Sequence, residues 1–576
     1  MNNKIMVGLI HSPESSISEH QNFGLKFSPV WAYVLSSYIE NSGHESILFD
    51  LNSQSLKDIH KCDIYFFSGL NQDINSLIKT SDFCRVNFPE SRQYLGGPIA
   101  WSFDKAGELE RLSNFDHICV GDGELLTPMI LDAITENRDL PKVIKETKRF
   151  KLEDSLVMSP RLIDQTASNY YGGVIEVSRG CPFLCEFCDI RIMPDNNRNH
   201  SRAIDKIIQE LNIYRLKGIN NFQLACDNFI GDLNFAKELT AEIINNNIKF
   251  DWAPSFYTWL TINFGSYPEL MKDMRRAGFD IIFIGVESFN NNTLLETAKL
   301  QNTKVELVEA LKAIQAYGFI VAAGLIFGFD GDGEDVADQT LEGLLQSSLL
   351  SGEPALLSAL PGTPLYRRMK LSQRLRIVED NMSLARQKYI TNIKYLMPAS
   401  LLIQNYIKYY KVTASGKFHY ERLSGYYNII NTSENYINDV KSSSLDIMKL
   451  FKQILSNPRL FYFYLLRFVP IIFSINIIYL FKGVILASKY KLTKNISFKY
   501  FMFWLYIWTN ALSSKYRNLT EDDFDIESVP NGFDINSIIP VGYREMADEK
   551  IPENKINAQH KATVAALKKI ILLRTT

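Results

Sequence analysis

Apolar and polar positions along the first third of the chain predict strands and helices in turn. Ile5-Met-Val-Gly-Leu-Ile10 is a short apolar run bounded by polar residues, the pattern of a buried strand. From Ser28 to Asn41 apolar positions recur at helical spacing (Val30, Tyr33, Val34, Tyr38, Ile39), and Gly43 follows as a stop. Ser46–Asp50, Asp63–Ser68 and Arg92–Gly96 read as further strands. Such alternation predicts an α/β fold over residues 1–150, with a doubly wound parallel sheet that takes ligands at the carboxyl ends of its strands.

The alternation continues over residues 151–370. Gly173–Ser178, Phe222–Asp227, Asp280–Glu287, Phe319–Gly328 and Pro354–Leu360 read as strands, with a helix from about Ser201 to Lys217. A partial (β/α) barrel is expected, with its chemistry just beyond the strand ends. Residues 371–576 are rich in Lys, Tyr, Asn and Ile, carry few strand signals and read as a helical C-terminal region. Phe468–Phe481 is uncharged but contains Pro470 and falls short of the about 20 residues a spanning helix needs. Phe501–Trp508 is a shorter apolar patch. With Lys482, Lys489, Lys499 and Arg517 nearby, these patches suit a helix lying in the bilayer interface, giving membrane-surface contact over 458–510. They suit a helical core packed on the barrel equally well. The last helix, near Ala562 to Leu573, carries Lys568, Lys569 and Arg574 toward its end, where cations complement the helix dipole.

Composition removes several classes. Lys and Arg total 62 against 64 Asp and Glu, so global charge gives no support for a nucleic-acid partner. The seven cysteines in 576 residues are too few and too uneven for a secreted disulfide framework. The N-terminus lacks the apolar stretch and cleavage site of a signal peptide, and a cytoplasmic protein is expected.

Three cysteines change the picture most. Cys181, Cys185 and Cys188 stand at C-x3-C-x2-C spacing directly after a predicted strand. Three thiolates on one short loop suit a [4Fe–4S] cluster with one iron left free to hold a small molecule. Structural zinc wants four ligands, usually as two spaced pairs, and the next His downstream is His200. Asp227 and Glu287 also fall at strand ends. Asp227 reads equally as a helix N-cap, and Glu287 as a buried ion-pair partner. Two loops after strands carry glycines, Leu95-Gly96-Gly97-Pro98 and Cys119-Val-Gly121-Asp-Gly123-Glu124. Glycine there lets backbone approach a ligand closely, although tight turns need it anyway.

C-x3-C-x-aromatic-C, with Phe187 as the aromatic, resembles the signature of the radical S-adenosylmethionine (SAM) enzymes. The resemblance implies that SAM chelates the open iron and that one electron from the cluster cleaves it to a 5′-deoxyadenosyl radical. Glu176–Phe183, Asp227–Gly231, Phe283–Ser288, Gln301–Thr303, Gly328–Asp332 and Ala359–Leu365 narrow the likeness to the cobalamin-type subgroup that includes the hopanoid-lipid methylases. The order Gly43-His-Glu45, Leu-Gly-Gly-Pro and Gly-Asp-Gly-Glu is similar to that subgroup's cobalamin-binding domain. The likeness spans roughly residues 5 to 425.

By position, the resemblance implies that Asp227 and Asn228 contact the methionyl part of SAM, and Glu287 and Ser288 its ribose or adenine, with Phe187 beside it. Gly96, Gly97, Gly121, Gly123 and Glu124 would meet cobalamin. An Asp-x-His-x-x-Gly motif is absent; His11 and His20 lie in the first loop without that context. Either cobalt has no protein His ligand or the domain has lost the cofactor. Further departures are Trp259 in place of an expected acidic residue, Cys226 before Asp227, and His200 after the cysteine loop. These put the substrate in doubt more than the radical step.

The leading expectation is a cobalamin-dependent radical SAM methyltransferase acting on an unactivated carbon of a lipid-like or natural-product substrate. Its electron donor would be a flavodoxin or ferredoxin, and its place the cytoplasm, peripheral to the inner face of the membrane. Ring closure, coupling or rearrangement without methyl transfer is the alternative. A non-catalytic, membrane-associated sensor is a third reading.

Overall fold

The computed structural model of the protein describes residues 4–14, 26–303, 306–376, 389–438, 471, 474, 476–512, 518–541 and 553–575. His20 and the stretch 458–470 of the expected membrane-facing segment lie outside them. β1 (Met6–His11), β2 (Glu45–Asp50), β3 (Ile64–Ser68), β4 (Arg92–Gly96), β5 (His117–Val120) and β6 (Val143–Lys145) form one parallel sheet in the order β2-β1-β3-β4-β5-β6. Strand alternation sorts its side chains into two cores. Val7, Leu9, Ile64 and Phe66 face the helices Val30–Asn41 and Gly123–Thr135. Ile10, Tyr65 and Phe67 face the helices Ile74–Asn87 and Pro98–Ala106. The order reverses at β1/β3, so the ligand crevice of such a sheet opens beyond the carboxyl ends there.

The second sheet contains β7 (Gly173–Glu176), β10 (Asn221–Ala225), β11 (Ser255–Leu260), β12 (Phe279–Glu287), β13 (Ile320–Phe327) and β14 (Ser351–Leu356). All neighbours are parallel, in the order β14-β13-β12-β11-β10-β7, with helices in the connections, as in a partial barrel. Phe222, Leu224, Phe256, Leu260, Ile282 and Ile284 are buried in the core shared with those helices. The alternate positions Gln223, Tyr257, Trp259 and Phe283 are half-buried and share the opposite, inner face. Between β7 and β10, β8 (Ser178–Arg179) and β9 (His200–Ser201) pair antiparallel at the base of the cysteine loop.

Three elements differ from the sequence expectation. β11 was not foreseen. β14 begins at Ser351 and carries Pro354 inside it, which an edge strand tolerates because that N–H has no ladder partner to lose. The C-terminal region contains a parallel pair, β15 (Tyr389–Tyr395) and β16 (Phe524–Ser528), among its helices.

The aromatic patch 501–508 is core, which corrects its interfacial reading. It lies on the helix Lys499–Ala511, where Phe501, Phe503, Trp504 and Trp508 are buried. Trp504 Nε1 donates to the His419 carbonyl at 2.8 Å, and Lys499 Nζ reaches Asp280 Oδ1 on β12 at 2.6 Å. The helix Asn476–Lys494 differs: Ile478, Phe481, Ile485 and Leu492 are exposed. Among the described residues no helix is long and apolar enough to cross a membrane.

Candidate active site

The cysteine loop begins where β8 ends. Gly180 stands at φ +93°, and a Cβ there would collide with the Arg198 carbonyl, so only glycine fits. Its N–H donates to Asp227 Oδ2 at 2.6 Å, and the Cys181 N–H donates to the Asn196 carbonyl at 2.9 Å. Farther along, the Glu186 N–H donates to the Thr297 carbonyl at 2.9 Å, and the Leu365 N–H to the Glu186 carbonyl at 3.1 Å. The Glu186 carboxylate takes two guanidinium bonds from Arg368, at 2.8 and 3.1 Å. Arg368 and Arg374 share Asp330 behind it. The loop is thus held along its length by Asp227 after β10, by Thr297 at a helix end and by the helix Pro364–Leu371.

Cys185 is buried, and Cys181 and Cys188 are half-buried. Burial pushes the Cys181 thiol up to about 11 and the Cys188 thiol well above its ordinary value, each also raised by neighbouring thiol charge. A metal that binds here must therefore displace protons. Among the described residues no three His, Cys, Asp or Glu side chains converge on a single ion. Three thiols on one loop, with no fourth ligand among the described residues, fit a cluster with an open corner better than tetrahedral zinc.

Around the thiols stand groups the sequence placed only in part. Glu287 ends β12 at φ +65°, just past an irregularity in the β12/β13 register. Its carboxylate pairs with buried Lys299 Nζ at 2.5 Å, which is the ion-pair reading of that residue. Lys299 Nζ also lies 5.8 Å from the centroid of the Phe187 ring. Gln301 Nε2 donates to Cys185 Sγ at 3.6 Å, and Asn302 Nδ2 donates to the Gly285 and Val286 carbonyls at 3.0 Å each. Ser288 Oγ accepts the Asn290 N–H at 3.0 Å. Asp227 is not an N-cap; Asp232 caps the next helix. Burial lifts Asp227 to about 6. Asn228 Oδ1 is buried without a hydrogen-bond partner among the described residues, an acceptor that a bound ligand's N–H would satisfy. Lys299 was missed; Gln301 was visible only as part of the matched Gln301–Thr303 run.

The carboxyl ends of the first sheet face the barrel across a cavity of about 300 Å³. Gly96, Gly97, Gly121, Gly123 and Glu124 line it from one side and Asp227 from the other. Two arginines bridge its rim. Arg179 binds Glu124 at 2.5 Å and Glu176 at 2.7 Å, and Arg149 binds Asp122 at 2.8 Å and Asn196 Oδ1 at 2.9 Å. Asn196 Nδ2, also in this wall, is buried without a partner among the described residues. No histidine is among the lining residues. His11 sits behind Trp31, whose Nε1 donates to it at 3.3 Å, and burial lowers its pKa. Among the described residues the lining offers glycine loops and the unpartnered Asn196 Nδ2, groups a cobalamin would meet, and no histidine.

The Radical SAM superfamily pattern matches residues 175–344. The chain is 28% identical over 355 residues to hopanoid C-2 methylase of Rhodopseudomonas palustris, covering 61% of this chain and 64% of that protein. It is 26% identical over 341 residues to an uncharacterized methyltransferase of Synechocystis sp., covering 58% and 62%. It is also 26% identical over 276 residues to the anaerobic magnesium-protoporphyrin IX monomethyl ester cyclase of Synechocystis sp., covering 44% and 53%. The matches thus span less than two thirds of these curated relatives. Among solved structures, the cobalamin-dependent S-adenosylmethionine radical enzyme OxsB, with aqua-cobalamin and S-adenosylmethionine bound, gives a TM-score of 0.54 at 17% identity, over 93% of this chain and 83% of that one. The radical S-adenosylmethionine methyltransferase TsrM from Kitasatospora setae, with cobalamin and a [4Fe-4S] cluster bound, gives 0.50 at 15% identity, over 65% and 80%. Residues 175–344 thus match the Radical SAM superfamily, and the chain shares its fold with the cobalamin-dependent S-adenosylmethionine radical enzyme OxsB.

Proposed function

We propose that the protein is a cobalamin-dependent radical SAM methyltransferase acting at an unactivated carbon of a lipid-like or natural-product substrate. The observation that carries this reading is the shared cavity, whose walls are the glycine loops of the first sheet and Asp227 of the barrel. Cys181, Cys185 and Cys188 would hold the [4Fe–4S] cluster. Asp227 and Asn228 would bind the methionyl part of SAM, and Glu287 and Ser288 its ribose or adenine, with Phe187 alongside. Gly96, Gly97, Gly121, Gly123 and Glu124 would meet cobalamin. When bound, these cofactors supply a 5′-deoxyadenosyl radical that removes hydrogen and a methyl group that takes its place. The chain's own part is to orient them and to keep water from the radical.

The inner face of the barrel supports an apolar substrate. Tyr257 and Trp259 lie 5.0 Å apart on β11, and Trp259 stands beside Phe283 in the β11/β12 register. Gly324 on β13 leaves room for the Phe283 ring, which a Cβ would meet at 2.6 Å. Aromatic walls of this kind bind flat or aliphatic surfaces. Membrane-surface contact is supported by the helix Asn476–Lys494, whose exposed Ile478, Phe481 and Ile485 are accompanied by Lys482 and Lys489. Flotation with anionic and neutral liposomes tests that contact, and equal recovery without lipid would exclude it.

The decisive experiment is anaerobic purification with cobalamin supplied, then incubation with SAM and a low-potential one-electron donor such as a flavodoxin or ferredoxin. 5′-Deoxyadenosine and bound cobalamin are assayed in the same sample. Both together support the methyltransferase and direct the search to methylated lipids. Nucleoside without cobalamin moves the case to ring closure, coupling or rearrangement without methyl transfer. An intact cluster that never cleaves SAM leaves the sensor.

A further inference from the structure

Lys299 is an unusual residue to find inside a protein. It is 6% exposed, and it precedes the short helix Leu300–Thr303. Its ammonium pairs with Glu287 and lies near the Phe187 ring. Two residues on, Gln301 Nε2 donates to Cys185 Sγ, and Asn302 fixes the segment to the Gly285 and Val286 carbonyls. Gly285 makes room for this arrangement: a Cβ there would come within 2.6 Å of Lys299 Nζ and would collide with Glu287 Oε1.

We infer that the segment Lys299–Asn302 sets the reduction potential of the cluster held by Cys181, Cys185 and Cys188. Lys299 contributes positive charge and Gln301 an N–H to sulfur, while Glu287 moderates the lysine. The inference rests on the reading of these cysteines as cluster ligands. One-electron reduction makes a cluster more negative, so a nearby cation and a donor to its sulfur both favour the reduced form and raise the potential. Removing the carboxylate that offsets the cation acts the same way. Lys299 and Gln301 are positioning residues here, not reacting groups.

The test is a SAM-free redox titration followed by electron paramagnetic resonance on reconstituted full-length protein. Iron and sulfide are measured in every sample. Lys299→Met is expected to shift the reduction equilibrium at least tenfold toward the oxidised form, about 59 mV for one electron. Gln301→Leu is expected to shift it less in the same direction, and Glu287→Gln to shift it oppositely. Lys299→Met with full cluster content and an unchanged potential overturns the inference. So does an unchanged potential with at least tenfold weaker SAM binding, since the lysine then serves SAM. If Lys299→Met loses its cluster, Gln301→Leu and Glu287→Gln decide, and the absence of opposite shifts overturns it. Wild-type protein that takes up no iron overturns the cluster reading itself, and this inference with it.

Discussion

Arg179 and Glu124 lie 2.5 Å apart, and their contact joins the last glycine loop of the first sheet to the strand that leads into the cysteine loop. The same guanidinium binds Glu176 and lies 3.7 Å from Asp122. Glu124 and Glu176 therefore share one partly buried cation, while Asp122 is held mainly by Arg149. Arg179→Met is expected to cost about 1.5–3 kcal/mol, the range for a hydrogen bond to a charged group. It is also expected to lower retained cobalamin while leaving iron content nearer to normal. Urea unfolding and cofactor analysis check both, and unchanged cobalamin retention would sink the idea that this contact shapes the cavity.

The cysteines divide into two kinds. Cys185→Ala is expected to abolish 5′-deoxyadenosine production, and undiminished production would end the cluster assignment. Cys226 lies outside the C-x3-C-x2-C loop and is expected to take no such part. Its Sγ lies 3.3 Å from Thr258 Oγ1, and burial pushes its thiol up to about 12, which keeps it protonated. Cys226→Ala is expected to keep full iron content, measured by colorimetric iron and sulfide assay.

Asp280 ties the C-terminal region to the barrel. It accepts from Arg275 at 2.7 Å and from Lys499 at 2.6 Å, in a fully buried setting. Asp280→Asn leaves two buried cations without their counter-charge, and a loss of about 3–5 kcal/mol is expected. The two cations hold the Asp280 carboxyl well below its ordinary 3.8. Its stabilisation is thus present above that value and is lost as pH falls further. Acid unfolding of wild type should contain this component, and that of Asp280→Asn should lack it.

Asp332 has the opposite sign. It accepts N–H groups from Gly328 and Phe329 and the hydroxyl of Thr293, but burial outweighs them and lifts its pKa from 3.8 to about 7. Between those values the folded state holds a proton that the unfolded state has released. Stability therefore falls as pH rises through that window. Asp332→Asn is expected to flatten the fall. Denaturant midpoints at about pH 5 and about pH 8 give the slope, and parallel curves for variant and wild type would refute it.

The parts of the fold that were legible have a strong contrast along the chain. Ile5–Ile10 and Asp280–Glu287 are apolar runs between polar ends, and both are strands, the first buried on two faces and the second with one buried and one half-buried face. β11 was hidden because Phe256, Tyr257, Thr258 and Trp259 carry apolar surface on both faces, which erases the alternation. Lys499–Ala511 is apolar nearly all round, and burial in protein leaves the same trace as burial in lipid. The cysteine loop announced itself by spacing alone. Lys299 did not, because a lysine normally reads as surface; its pairing with a carboxylate at the end of β12 exists only once β12 bends.

The bend at Glu287 has a consequence for engineering. A non-glycine residue held at positive φ costs on the order of 1–3 kcal/mol, and a buried ion pair is often no better than well-packed apolar side chains. The double substitution Glu287→Gly with Lys299→Met would release both burdens at once. A library of this protein sorted only for heat resistance would accordingly drift toward losing the pair, gaining robustness while discarding the electrostatics beside its cysteines.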